Sequence, residues 1–170
     1  KFDNYYTTNS PENRELSEYI YNKSKEKNRI ARKNVRQLYC ETDGMFLPDR
    51  FVRGNCPVCN SPDQYGDSCE VCSSAYSPED LKNPKCAVCG NPPEFAESEH
   101  LFFQLNKCRE SLLKWITTPG RVEDGVRKKM DEWLKGELRD WDISRDGPYF
   151  GFEIPGEKNK FFYVWLDAPI

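Results

Sequence analysis

The sequence predicts an α+β fold in which a few helices and short strands accompany a loop-rich, metal-stapled module. Apolar residues recur at helical spacing in three segments. Short apolar runs bounded by Gly and Pro indicate strands between and after those helices. Seven of the eight cysteines and seven of the twelve prolines fall within residues 40–95. That region has few aliphatic residues, so its order must come from something other than a large core.

Size and composition narrow the class of protein. The 170 residues carry a net charge of −3 and are 37% hydrophobic and 14% aromatic, which fits one medium domain or two small ones. The charge excludes a protein that coats nucleic acid through a basic surface. No apolar run approaches the roughly 18–20 residues of a membrane span, and no signal peptide opens the chain. The chain starts without Met and ends on an apolar run, so we expect a segment of a longer protein.

The first elements are a loop with the end of a strand, a helix and a second strand. Ser10 is a favoured N-cap and Pro11 suits the first helical position, so a helix should begin there. One face of this helix should pack against the protein and carries Leu16, Tyr19, Ile20 and Lys23. Residues 29–39 should form a short strand that enters the cysteine region.

Two helices and several strands should follow the cysteine region. Residues 100–105 predict a buried strand, and helical spacing predicts one helix through Trp115 and another that ends near Gly136. Residues 141–144, 150–154 and 161–166 should be extended. We expect these elements to pack around Trp115, Trp133, Trp141 and Phe150. We expect four segments. Residues 1–30 should contain a strand end and a helix, and residues 31–100 the metal-stapled module. Residues 101–146 should contain a strand and two helices, and residues 147–170 further strands.

Two Cys-x-x-Cys pairs indicate one structural zinc ion. Cys56 and Cys59 are separated by nine residues from Cys69 and Cys72. Each pair can bind one side of the ion, and two pairs complete a tetrahedron of four thiolates. Four thiolates leave no open position for substrate, so the ion should stabilise the fold rather than catalyse a reaction.

The third pair, Cys86 and Cys89, has no fourth Cys-x-x-Cys to join. Spacing alone also allows it to join Cys69 and Cys72. Asp43 stands where a second cysteine would complete a Cys-x-x-Cys pair with Cys40, and zinc accepts carboxylate oxygen as a ligand. A second site with three thiolates and one carboxylate, from Cys40, Asp43, Cys86 and Cys89, is therefore chemically allowed. The alternative is a second knuckle without metal. Cys108 should be a core residue, and His100 a structural residue or strand cap.

Several motifs resemble the methionyl-tRNA synthetase family, in the order that the family has them and over nearly the whole chain. They are MFLPDRFV at 45–52 with Gly54 and Cys56, DQYGD at 63–67, CEVC at 69–72, WDISRD at 141–146 and FYVWLDAPI at 162–170. The family's HIGH-like and KMSKS-like sequences are not in this chain. The chain therefore resembles the connective insertion between the two halves of a class I Rossmann-type catalytic domain, with short pieces of that domain at each end.

The resemblance implies a cytoplasmic methionine–tRNA ligase. Such an enzyme activates methionine with ATP and Mg²⁺ and transfers it to tRNA-Met, and its zinc knuckles lie near the active site and the tRNA acceptor end. By itself this segment should be monomeric and inactive, with no membrane partner.

The resemblance also assigns individual residues. Trp165 matches the aromatic that closes over methionine, and Ala168 and Pro169 match the pocket lining; a thioether favours aromatic contact. Arg145 matches an active-site arginine that could stabilise charge during adenylate formation. The sequence departs from relatives at 6–9, where some carry histidines, and at Asp43, where relatives with two zinc ions carry Cys.

Two other classes compete with this interpretation. A stand-alone zinc-ribbon module that binds RNA or protein would explain the cysteine pairs and the basic residues between Lys23 and Arg36. A secreted disulfide protein would contain neither zinc nor free thiols.

Overall fold

The computed structural model describes residues 2–170 and divides the chain into two compact units. The first, here the helical unit, comprises residues up to Lys33, His100–Arg145 and Tyr149–Ile170. The second, here the cysteine unit, comprises Asn34–Glu99 and Asp146–Pro148. Helices and strands occur together, so the fold is mixed α/β. Within the described residues, no helix is long and apolar enough to cross a membrane.

The helical unit begins with α1, Pro11–Glu26, as predicted. The Ser10 side chain caps it by accepting a hydrogen bond from the Asn13 N–H at 3.1 Å. The predicted packing face is wrong, because Leu16, Tyr19 and Ile20 are exposed. Tyr21 packs edge-to-face on Phe162, which turns the small residues Asn13 and Ser17 inward instead. Residues 2–9, expected to include a strand end, form no strand.

Two helices of this unit have an apolar core of their own. They are α2, Arg109–Thr117, which follows a short 3-10 turn, and α3, Asp124–Lys135. They bury Ile116, Leu134 and Leu138. The prediction that the large aromatics form the core is wrong: Trp115, Trp133, Trp141 and Phe150 are 46%, 52%, 38% and 83% exposed. On a helix, adjacent residues point about 100° apart, so burying Ile116 and Leu134 turns the neighbouring tryptophans outward.

The main core of the helical unit surrounds Tyr21. It contains Leu101, Ile143, Phe152, Ile154 and Phe162. Two short strands belong to this unit: β7, Trp141–Asp142, and β9, Lys160–Phe162. A third, β8, Ser144–Asp146, has its last residue in the cysteine unit. Two predicted strands need correction. Residues 150–154 contribute one isolated bridge, Glu153 to Phe161, and residues 164–167 form the short helix α4.

Strands and turns build the cysteine unit. Two long strands have residues in both units: β1, Ile30–Cys40, and β6, Glu94–Phe103. The others are β2, Met45–Phe46, β3, Val52–Asn55, β4, Gln64–Tyr65, and β5, Lys82–Cys86. One sheet has the order β2-β1-β6-β7, another β4-β3-β5, and a two-stranded sheet pairs β8 with β9. A small core contains Leu38, Leu47, Val52 and Leu81 together with Cys40 and Cys86.

Candidate metal centres and candidate substrate-binding residues

Four turns of the cysteine unit have a residue in the left-handed conformation at the same place. In each turn, the residue directly after the last candidate ligand has a positive φ: Gly44 at 63°, Asn60 at 62°, Ser73 at 59° and Gly90 at 78°. Glycine and asparagine adopt this left-handed conformation most readily. Three of these turns contain Cys-x-x-Cys, and the fourth contains Cys40 and Asp43. The turn with the carboxylate therefore has its left-handed residue in the same place as the other three.

Backbone N–H groups point at the first sulfur of each Cys-x-x-Cys turn. Val58 and Cys59 direct their N–H groups to the Cys56 sulfur, each at 3.4 Å. The Cys72 N–H points at the Cys69 sulfur and the Val88 N–H at the Cys86 sulfur, both at a nitrogen–sulfur distance of 3.4 Å. Donors placed around a sulfur favour its ionised form, which is the form that binds metal.

The first candidate centre has the spacing of a tetrahedral thiolate site. The sulfurs of Cys56, Cys59, Cys69 and Cys72 all lie within 4.8 Å of one another. The Cys56–Cys72 and Cys59–Cys69 sulfur pairs are 3.8 Å and 3.6 Å apart. Zinc–sulfur bonds of about 2.3 Å give a tetrahedral edge of about 3.8 Å. These four residues fit a zinc ion.

Two serines that sequence reasoning missed support this centre. Ser61 Oγ lies 3.1 Å from the Cys59 sulfur, and Ser74 Oγ lies 3.2 Å from that of Cys72. The hydrogen bond with Ser61 is the main reason that the pKa of Cys59 falls to about 6, and Ser74 likewise lowers the pKa of Cys72. Burial raises the pKa of Cys69 to about 11. The signal was available, because each serine stands two residues after the second cysteine of its turn.

The second candidate centre brings together the remaining four predicted ligands. The sulfur of Cys40 lies 3.5 Å from that of Cys89. Asp43 Oδ2 lies 3.1 Å from the Cys40 sulfur and 3.0 Å from the Cys86 sulfur. All four ligand atoms lie within 4.8 Å of one another. The alternative grouping of Cys86 and Cys89 with Cys69 and Cys72 is not adopted, since those two join Cys56 and Cys59.

The electrostatics of this second centre suit a cation. Hydrogen bonds from the thiols, that of Cys89 first, lower the pKa of the Asp43 carboxyl. Its carboxylate in turn raises the pKa of Cys89 to about 12, because a thiol can donate to it and a thiolate cannot. Burial is the first cause of the raised pKa of Cys86. A divalent cation would replace these shared protons and offset the crowding of negative groups.

The residues that the resemblance assigned to methionine lie in the helical unit. Trp165 is on α4, not on a strand, and its side chain is 63% exposed. Ala168 and Pro169 follow it and are also exposed. Arg145 is on β8 and forms an ion pair with Asp142 at 3.1 Å. Its guanidinium also lies 3.8 Å from the centre of the Tyr163 ring.

His100 has a more specific place than the sequence indicated. It is only 1% exposed, and its Nδ1 lies 2.7 Å from Oδ2 of Asp142. Sequence reasoning missed this pair, because 42 residues separate the partners and no local pattern joins them. Cys108, expected in the core, is 8% exposed and belongs to neither candidate metal centre.

Comparison with known proteins identifies relatives along the whole chain. The family model described as "tRNA synthetases class I (M)" matches residues 1–170. The chain is 56% identical over 170 residues to the methionine–tRNA ligase of Leptospira biflexa serovar Patoc and 54% identical to that of Myxococcus xanthus. These alignments cover 100% of this chain, which spans about a quarter of the length of those ligases (25% and 24%).

A solved structure shares the fold. The crystal structure of Mycobacterium tuberculosis methionyl-tRNA synthetase bound by methionyl-adenylate matches with a TM-score of 0.59 and 19% identity. The match covers 99% of this chain and 29% of that one. The apo form of the same synthetase matches with a TM-score of 0.56.

Proposed function

The chain belongs to the class I (M) tRNA synthetase family, and we therefore propose that it is the zinc-bearing insertion of a methionine–tRNA ligase, with adjoining pieces of its Rossmann-type catalytic domain. The complete enzyme would use ATP and Mg²⁺ to activate methionine and would transfer it to tRNA-Met. The family match along all 170 residues carries this proposal. It also favours a ligase over a stand-alone zinc ribbon, because the match extends through the helical unit as well as the cysteine unit.

We propose a structural role for metal in the cysteine unit. Cys56, Cys59, Cys69 and Cys72 would hold one zinc ion, and Cys40, Asp43, Cys86 and Cys89 a second. Bound zinc crosslinks the turns and contributes free energy of folding. The protein supplies the N–H donors and left-handed turn residues that direct the ligand atoms inward. Neither centre has a free ligand position for substrate, since each is filled by four protein atoms.

The helical unit would contribute to substrate binding. Trp165 presents an exposed ring that can cover the thioether of methionine, with Ala168 and Pro169 beside it. Arg145 carries a fixed positive charge that can stabilise the negative charge developing on ATP phosphates during adenylate formation. The complete enzyme would provide the other binding groups for ATP and methionine.

Methionine-dependent ATP–pyrophosphate exchange by the full-length enzyme tests this proposal. We expect Trp165→Ala to raise the KM for methionine about tenfold, because the aromatic contact with the thioether is lost. Trp133→Ala is a matched control, since Trp133 is also about half exposed but lies on α3. The 170-residue chain alone should give no exchange above background, because catalysis needs several preorganised groups together. Exchange by the isolated chain, or equal effects of the two substitutions, would contradict the proposal.

A further inference from the structure

A polar network in the helical unit centres on the Asp142 carboxylate. Its Oδ2 lies 2.7 Å from Nδ1 of His100 and 3.1 Å from the Arg145 guanidinium. Its Oδ1 accepts a hydrogen bond from the backbone N–H of Ser144 at 3.1 Å. Both carboxylate oxygens are therefore engaged, so the orientation of the Asp142 side chain is fixed from several directions.

His100 is the buried end of this network. Its imidazole is 1% exposed, and burying such a group is costly unless it is hydrogen-bonded. Because a carboxylate only accepts hydrogen bonds, the contact with Asp142 holds the proton of the imidazole on Nδ1. The pairing of β6 with β7, with Phe102 opposite Asp142, places the two side chains together.

Arg145 lies at the other end of the network, and three contacts restrain it. Besides the ion pair with Asp142, its guanidinium donates to the Ser144 carbonyl oxygen at 2.6 Å and lies 3.8 Å from the centre of the Tyr163 ring. A free arginine side chain has about 2 kcal/mol of rotamer entropy to lose when it binds a ligand. Here much of that freedom is already lost before substrate arrives, and such preorganisation favours the transition state.

Tyr163 extends the network to the residues proposed to bind methionine. Its backbone N–H donates to the Ile143 carbonyl oxygen at 2.9 Å, and it is the residue that precedes α4. The helix α4 carries Trp165. The residue that contacts the Arg145 guanidinium therefore leads directly into the helix that carries Trp165.

We propose that His100 and Asp142 are positioning residues: through their hydrogen bond they hold the guanidinium of Arg145 where adenylate formation needs it. This role rests on the proposed function, since it is in the methionine–tRNA ligase reaction that Arg145 would act. The same contacts could instead serve only to provide a hydrogen bond for the buried imidazole. In that case the effect of a His100 substitution on kcat would not depend on Arg145.

A double-mutant cycle in the full-length enzyme separates the two roles. We expect His100→Leu to lower kcat of methionine-dependent ATP–pyrophosphate exchange about tenfold with little change in the KM for methionine. His100→Asn, whose amide N–H can take the place of Nδ1–H, should restore kcat to within about threefold of wild type. In an Arg145→Gln background, His100→Leu should change kcat less than twofold, because the group that it positions is gone.

Asp142→Asn provides a second route through the same cycle if His100→Leu does not fold. It changes one atom, and its loss of kcat should likewise disappear in the Arg145→Gln background. Arg127→Ala, which removes an exposed ion pair on α3, should leave kcat unchanged. A His100→Leu or Asp142→Asn enzyme with wild-type kcat, or the same fold loss with and without Arg145, would overturn the positioning role. A wild-type enzyme without methionine-dependent exchange would overturn the proposed function itself.

Discussion

Asp43 occupies the position in its turn that a second cysteine holds in the other three. Its carboxylate contacts the sulfurs of Cys40 and Cys86 at 3.1 Å and 3.0 Å, and Gly44 gives the turn the same left-handed residue as the others. An oxygen ligand suits zinc less well than a thiolate does. The second centre should therefore release metal more readily than the first.

Substitutions at Asp43 test this ranking. We expect Asp43→Ala to lower zinc affinity at the second centre by at least about tenfold, since it removes a ligand, and Asp43→Cys to raise it by completing a set of four thiolates. Zinc per chain would be measured after dialysis against a competing chelator. Glu41→Ala is the control, because Glu41 is an exposed carboxylate in the same turn. If Asp43→Ala retains as much zinc as Glu41→Ala, Asp43 is not a ligand.

At the scale of elements, Arg109 joins α2 to the end of α3. Its guanidinium donates to the Leu134 carbonyl oxygen and, at 2.8 Å, to that of Gly136. The last carbonyl groups of a helix have no partner within the helix, and a cation there also complements the helix dipole. This one side chain thus caps α3 and holds it against α2.

Arg109→Met tests the value of this cap, because Met keeps much of the apolar stem but none of the donors. We expect a loss of about 1–3 kcal/mol in the free energy of unfolding, the usual range for hydrogen bonds with a charged donor. Urea unfolding of the 170-residue chain, followed by tryptophan fluorescence, would measure it. Arg127→Met is the matched control: its ion pair with Asp124 is exposed, and such pairs contribute only about 0.3–0.5 kcal/mol. Equal losses in the two variants would show that Arg109 caps nothing of consequence.

At the scale of the whole molecule, the two units differ in what holds them together. The helical unit has two apolar cores, around Tyr21 and around Ile116. The core of the cysteine unit is small and includes two of the candidate metal ligands, Cys40 and Cys86. Its stability should therefore depend on metal much more than that of the helical unit.

Hydrogen exchange with and without chelator should reveal this difference. Removal of metal should lower the protection of backbone amides in residues 50–90 much more than in α1, because only the former lose crosslinks between turns. Cys69→Ala should have the same effect near the first centre and should cost one zinc ion per chain. Cys108→Ala is the control, since Cys108 is also buried but belongs to neither centre. Unchanged metal content and protection in Cys69→Ala would reject the first centre.

The features that depend on local chemistry could be predicted from the amino-acid sequence. Ser10 and Pro11 predicted where α1 begins, and Gly136 where α3 ends, because capping and backbone preferences act within one turn of chain. The spacing of the cysteines named the candidate ligands, and the motifs predicted a family to which the chain does belong.

The side chains that meet across long sequence separations could not be predicted, because their contacts depend on the tertiary structure. The outward direction of Trp115 and Trp133 depended on the burial of Ile116 and Leu134, since apolar spacing does not tell which of two adjacent large residues faces the partner helix. The helix at 164–167 replaced a predicted strand, because a short apolar run such as Val164, Trp165 and Leu166 suits either structure. The pairing of His100 with Asp142 and the approach of Cys40 to Cys89 also depend on the tertiary structure, because both bring segments distant in sequence together and no local preference encodes that.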